Sequence, residues 1–125
     1  MNTKRILVVE DEEFLRQLYV NILKEEGFIV EEAKDGEEAY QLLTQKDYDL
    51  ILLDFQIPKL NGSQILENLK TKLPAKKIGR IIIMSNMDRD SLELKGLKSE
   101  NIKGYIIKSD YTPDQFIAEV KKFFI

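Results

Sequence analysis

Short apolar runs that end in a polar residue recur along the chain, and between them apolar residues return every three or four positions. Ile6-Leu7-Val8-Val9 runs into Glu10-Asp11, Leu50-Ile51-Leu52-Leu53 into Asp54, Ile81-Ile82-Ile83-Met84 into Ser85, and Gly104-Tyr105-Ile106-Ile107 into Lys108. Continuous apolar runs of this length fit strands buried on both faces of a parallel sheet. Ile29-Val30-Glu31-Glu32-Ala33 is more polar, which places it at a sheet edge.

The intervening segments predict helices. Phe14, Leu15, Leu18, Ile22 and Leu23 recur at helical spacing up to Gly27, giving a first helix with one apolar face. Asp35 stands as the N-cap of a second, with Glu38 three residues on and Ala39, Leu42 and Leu43 as its buried stripe. Ile65, Leu66, Leu69 and Leu73 mark a third, stopping before Pro74. Between Asp88 and Glu100 the phasing is poor and Gly96 interrupts it, so a fourth helix is placed there on the strand-helix alternation. Thr112-Pro113-Asp114-Gln115 combines an N-cap, Pro at the first helical position and Gln in the capping-box position, and Phe116, Ile117, Val120, Phe123 and Phe124 continue the fifth. Five strands alternating with five helices imply right-handed crossovers and a doubly wound α/β fold with a five-stranded parallel sheet in order 2-1-3-4-5.

Composition narrows the chemistry. The 125 residues, 43% hydrophobic and 33% charged, fit one domain over 1–125 with no output domain beside it. A net charge of -3 supplies no basic field for a phosphate backbone, so direct nucleic-acid binding is not expected. Cys and His are both absent, which removes disulfides, thiolate nucleophiles and imidazole bases. The apolar run after Arg5 is too short for a signal peptide or a membrane span, making a cytoplasmic protein without membrane contact the expectation.

Parallel strands bring their carboxyl ends to one rim, where ligands of open α/β sheets collect. Glu10, Asp11, Asp54, Ser85 and Lys108 therefore converge. Taken singly, each has an ordinary reading: Asp11 as a helix cap, Ser85 and Lys108 as loop residues, Tyr105 as a core or edge aromatic. Taken together, three carboxylates would repel one another without a cation, and Mg²⁺ suits oxygen ligands at a site that also receives phosphate. Asp54 could then act as a nucleophile forming an aspartyl-phosphate, with Lys108 and Ser85 neutralising the phosphoryl oxygens.

At these residues the sequence resembles the receiver domain of bacterial two-component response regulators, over about Arg5 to Phe124. The matching marks are Val9-Glu10-Asp11, Leu53-Asp54 with Ile57-Pro58 and Asn61-Gly62, Ser85, and Tyr105-Ile106-Ile107-Lys108. The resemblance implies a flavodoxin-like (βα)5 fold and a single-domain, chemotaxis-regulator-like phosphoprotein. Asp54 would be the phosphoacceptor, served by a sensor histidine kinase or histidine phosphotransfer protein. Glu10 and Asp11 would hold Mg²⁺ with Asp54 and the Gln56 backbone carbonyl. Ser85 and Lys108 would bond the phosphoryl group, and Tyr105 would turn inward as Ser85 moves. A downstream protein would read the surface formed by the fourth helix, fifth strand and fifth helix. The chain would be a signalling module rather than an enzyme, monomeric or weakly dimeric.

Three departures from the family pattern stand out. Ser109 follows Lys108 where the family carries Pro after a cis peptide; a cis bond to a non-proline costs roughly 2.5–4 kcal/mol, so this loop is expected to differ. Asn86 stands where a small residue is usual, and Ile57 replaces Met. The first two motivate an alternative, a phosphorylation-independent interaction domain. A Mg²⁺ aspartyl-phosphate phosphatase is a further alternative, but Gln56 stands where its second Asp is needed.

Overall fold

The structure, a computed structural model, describes residues 4–54, 80–86 and 102–124. Strands β1 (Arg5–Val9), β2 (Ile29–Ala33), β3 (Leu50–Asp54), β4 (Arg80–Ser85) and β5 (Ile102–Ile107) form a parallel sheet in the order β2-β1-β3-β4-β5. The polar β2 lies at an edge, as its composition requires. Helices α1 (Glu13–Glu25) and α2 (Gly36–Gln45) follow the first two strands, and a C-terminal helix spans Pro113–Lys122. The helices expected around Ile65–Leu73 and Asp88–Glu100 lie outside the described residues.

Strand periodicity explains why the central strands are apolar throughout. Leu7, Val9, Ile51, Leu53, Ile81 and Ile83 turn to one face, where Ala39 and Leu43 of α2 cover them. Ile6, Val8, Leu50, Leu52, Ile82 and Met84 turn to the other, against Tyr19, Val20 and Leu23 of α1 and Phe116 and Val120 of the C-terminal helix. Both faces are dry, so a polar residue within these strands would carry an unpaired group into the core.

Local signals set the helix ends. Asp35 accepts from the Glu38 N–H at 2.9 Å, while the Glu38 carboxylate accepts from the Lys34 N–H at 3.0 Å. Thr112 and Gln115 complete a reciprocal capping box. Gly27 takes a φ of 98° just beyond α1, a left-handed conformation that glycine adopts without a Cβ clash. The loop before β3 is tied to β2, since Lys46 Nζ lies 2.5 Å from Glu31 Oε2 and the Tyr48 hydroxyl donates to Glu31 Oε1 at 2.8 Å. At the other edge, the Arg80 guanidinium donates to the Phe123 carbonyl, and the Phe123 ring packs over Gly104.

One residue departs from the sequence expectation. Phe14, assigned to the apolar face of the first helix, is 74% exposed, and Tyr19 and Val20 hold the buried positions with Leu23. Phe14 lies nine residues before Leu23, which at about 100° per residue places it across the helix from the core. β5 also starts earlier than its apolar run, at Ile102, and so includes the exposed Lys103.

Candidate functional site

Four of the five rim residues singled out from the sequence sit at strand ends in or beside the buried layer. Glu10 is 1% exposed, Asp54 5% and Ser85 3%, so these polar groups are buried among aliphatic strands. Strand parity decides which of them meet. Glu10 continues the alternation of Ile6 and Val8, Asp54 that of Leu50 and Leu52, and Lys108 that of Ile106, all on the face covered by α1 and the C-terminal helix. Lys108 Nζ accordingly lies 2.5 Å from Glu10 Oε1 and 3.0 Å from Asp54 Oδ2. Ser85 continues the alternation of Ile81 and Ile83 and comes to the rim on the opposite parity.

Asp11 completes the acidic group. Carboxylate oxygens of Glu10, Asp11 and Asp54 all fall within 4.8 Å of one another, Asp11 being the solvent-facing member. With all groups ionised, three carboxylates and one ammonium leave two negative charges, which one divalent cation would balance. The donors are all hard oxygens, as a Mg²⁺ site requires. Burial, followed by the nearby Asp54 carboxyl, raises the Glu10 pKa above its ordinary value despite the opposing effect of Lys108. For Lys108, burial works against the charged form, but Glu10 and Asp54 outweigh it and the pKa is raised. The ammonium therefore stays charged at neutral pH, while the carboxylates gain from any further positive charge.

The Lys108–Asp110 segment forms a single 3₁₀ turn, and no cis peptide bond occurs among the described residues. With Ser109 in this turn, Lys108 still reaches Asp54. Tyr105 is half-buried and packs against the core cluster on the α2 side of the sheet, while Asn86 is exposed. Gln56, Ile57 and Met87 lie outside the described residues, as does the Asn61-Gly62 turn. A cleft of about 250 Å³ between α1 and the C-terminal helix opens beside Lys108 and is lined by Leu15, Leu18, Tyr19, Tyr111 and Phe116. Its Tyr19 and Phe116 rings pack at a tilt of 31° with centroids 4.6 Å apart, and burial raises the Tyr19 pKa.

Two polar residues near the site were not singled out from the sequence. Arg16 reaches the backbone carbonyls of Glu10 and Asp11, and Glu32 holds Arg16 in turn. Arg16 reads as one charge on the wet side of a helix, and Glu32 as one acid on an edge strand. Only the β1–β2 register, which pairs Val8 with Glu32, makes them neighbours of the rim.

The pattern that defines the response regulator receiver domain matches residues 6–121. The transcriptional regulatory protein SrrA of Staphylococcus aureus is 33% identical over 119 residues, covering 95% of this chain and 47% of that protein. The chain thus spans about half the length of the curated relatives it matches, at 47%. Response regulator protein TrrA of Thermotoga maritima, whose crystal structure is a complex with Mg²⁺-BeF, is 34% identical, with a TM-score of 0.77 over 97% of this chain and 99% of that one. Chemotaxis response regulator CheY4 of Vibrio cholerae superposes with a TM-score of 0.84 over 98% of this chain and 99% of its own, at 21% identity, a likeness of fold.

Proposed function

The chain belongs to the response regulator receiver domain family, and from that premise we propose that it is a phosphorylation-controlled signalling module with Asp54 as phosphoacceptor. The donor is the phosphohistidine of a sensor histidine kinase or histidine phosphotransfer protein. One observation carries this reading: the buried Asp54 carboxylate lies within 4.8 Å of Glu10 and Asp11 and 3.0 Å from Lys108 Nζ. Few structural roles require three carboxylates and one lysine at a single strand rim, whereas phosphoryl transfer requires both kinds of charge.

In this reading an Asp54 oxygen attacks phosphorus, the N–P bond of the donor breaks, and the imidazole leaves with the bonding electron pair. Glu10, Asp11 and Asp54 would hold Mg²⁺, with the Gln56 carbonyl as the family resemblance implies, and the ion would supply positive charge that offsets carboxylate repulsion. Lys108 passes from the Asp54 carboxylate to a phosphoryl oxygen, a short movement for a side chain already at the site. Ser85 donates its hydroxyl to the same group, and Tyr105 responds to that movement. The altered packing of β5 and the C-terminal helix, together with the fourth helix predicted from the sequence, then selects a downstream protein. In this reading the domain works in the cytoplasm and meets neither nucleic acid nor membrane, as its net charge of -3 and its family resemblance suggest.

The contact of Lys108 with Asp54 favours this reading over a phosphorylation-independent domain, because it removes Ser109, one of the two grounds for the latter beside Asn86. Intact-mass measurement after incubation with Mg²⁺ and acetyl phosphate tests it. A gain of about 80 Da, the mass of one phosphoryl group, is expected in the unaltered chain and not in Asp54→Asn. Labelling of Asp54→Asn, or no Mg²⁺-dependent labelling of the folded unaltered chain, overturns the proposal.

A further inference from the structure

The two acids that lead into α1 are held by their main chain as much as by their carboxylates. On one side the Glu10 N–H donates to the Ala33 carbonyl of β2 at 3.1 Å. On the other, Arg16 Nη1 donates to the Glu10 carbonyl at 3.1 Å and approaches the Asp11 carbonyl at 3.5 Å. Arg16 is fixed in turn, because its Nε donates to Glu32 Oε1 at 2.9 Å and its side chain is only 11% exposed. Gln17 Nε2 donates to that same Glu32 oxygen at 3.1 Å. The first turn of α1 and the end of β2 are thereby joined through one guanidinium.

Asp11 is exposed, so core packing does not set its carboxylate, and the direction of its main chain must. A guanidinium suits that task because its planar fork carries donors on separate nitrogens at fixed angles, so Nε serves Glu32 while Nη1 serves the carbonyls; the donors of an ammonium share one nitrogen. The arrangement carries a penalty, however, since a positive charge beside a cation site repels the cation. Glu32 removes it by pairing with Arg16 on the side away from the two carbonyls.

We propose that Arg16 and Glu32 form a positioning clamp for the acidic pair. Arg16 fixes the Glu10–Asp11 main chain in the arrangement that receives a divalent cation, and Glu32 both orients the guanidinium and cancels its charge. The inference rests on the Mg²⁺-dependent phosphoacceptor reading. Partners that orient metal ligands typically alter metal affinity about 10- to 100-fold when removed.

Calorimetric Mg²⁺ titration of the full chain, with melting of each variant in EDTA, tests the clamp. Arg16→Ala is expected to bind Mg²⁺ about 10- to 100-fold more weakly, and Arg16→Lys to recover part of the loss. Glu32→Gln keeps an acceptor for Arg16 but exposes its charge, so its weaker binding should approach that of the unaltered chain as salt is raised. Gln17→Ala, which leaves both Arg16–carbonyl contacts in place, should bind Mg²⁺ normally. A purely structural role would lower the melting temperature of Arg16→Ala with unchanged Mg²⁺ affinity, and that result overturns the clamp. Should Arg16→Ala fail to fold, Glu32→Gln decides, unchanged affinity at low salt being the overturning result. Absence of Mg²⁺ binding by the unaltered chain overturns the metal reading itself, a different outcome from normal binding by all the variants.

Discussion

Lys108 Nζ lies 3.0 Å from Asp54 Oδ2 across 54 residues of sequence, and the same nitrogen contacts Glu10 Oε1. A single ammonium therefore serves both buried carboxylates. Replacing Lys108 with Ala is expected to slow labelling of Asp54 by acetyl phosphate roughly 10²-fold, the usual effect of removing one preorganised donor from a transition state. Lys108→Arg should retain part of the rate, because a cation remains. Initial rates at saturating Mg²⁺ check this, and an unchanged Lys108→Ala rate would mean that the ammonium serves folding alone.

Acid sensitivity should trace to the other end of the sheet. Burial favours the neutral form of Glu31, but hydrogen bonds from Lys46 and Tyr48 outweigh it, and its pKa falls below the ordinary 4.5. The folded chain then holds this proton less tightly than the unfolded chain. Its contribution to stability is present above pH 4.5 and is lost as pH falls through the lowered folded value. Melting temperatures followed downward from pH 6 should drop more steeply for the unaltered chain than for Glu31→Gln. Parallel curves would show that the Lys46–Glu31–Tyr48 contacts contribute no net linkage.

Gly104 is under steric rather than conformational constraint. A Cβ there would lie 3.0 Å from Phe123 Cζ, the ring that covers this part of β5. Gly104→Val is expected to cost about 1–3 kcal/mol, the range for forcing extra methyl groups into a packed site. Gly104→Ala should cost less, since the half-buried ring can shift. Urea unfolding measures both, and an equal or greater stability for the Val variant would contradict this account.

Much of the sheet could be read from the sequence because its central strands repeat one physical requirement. Leu50–Leu53 and Ile81–Met84 are apolar at every position, a pattern that only a doubly covered strand demands. The edge position of β2 followed from Glu31 and Glu32 in the same way. Phe14 was misplaced because apolar character alone does not fix the phase of a helix; Tyr19 and Val20 set it instead. At the candidate site, the convergence of Glu10, Asp11, Asp54 and Lys108 was legible from their position at strand ends. The Arg16–Glu32 pair was not, since it depends on side chains meeting across two elements whose register no local pattern prints.

The Glu10–Lys108 contact spans 98 residues. Of the rim residues, Lys108 is the last to leave the ribosome, and synthesis runs at about 5–20 residues per second, so Asp54 waits several seconds for its cation. A growing chain therefore carries the Asp54 carboxylate before it carries the ammonium that pairs with it. The full charge cluster at the rim is assembled only when the edge strand β5 joins the sheet.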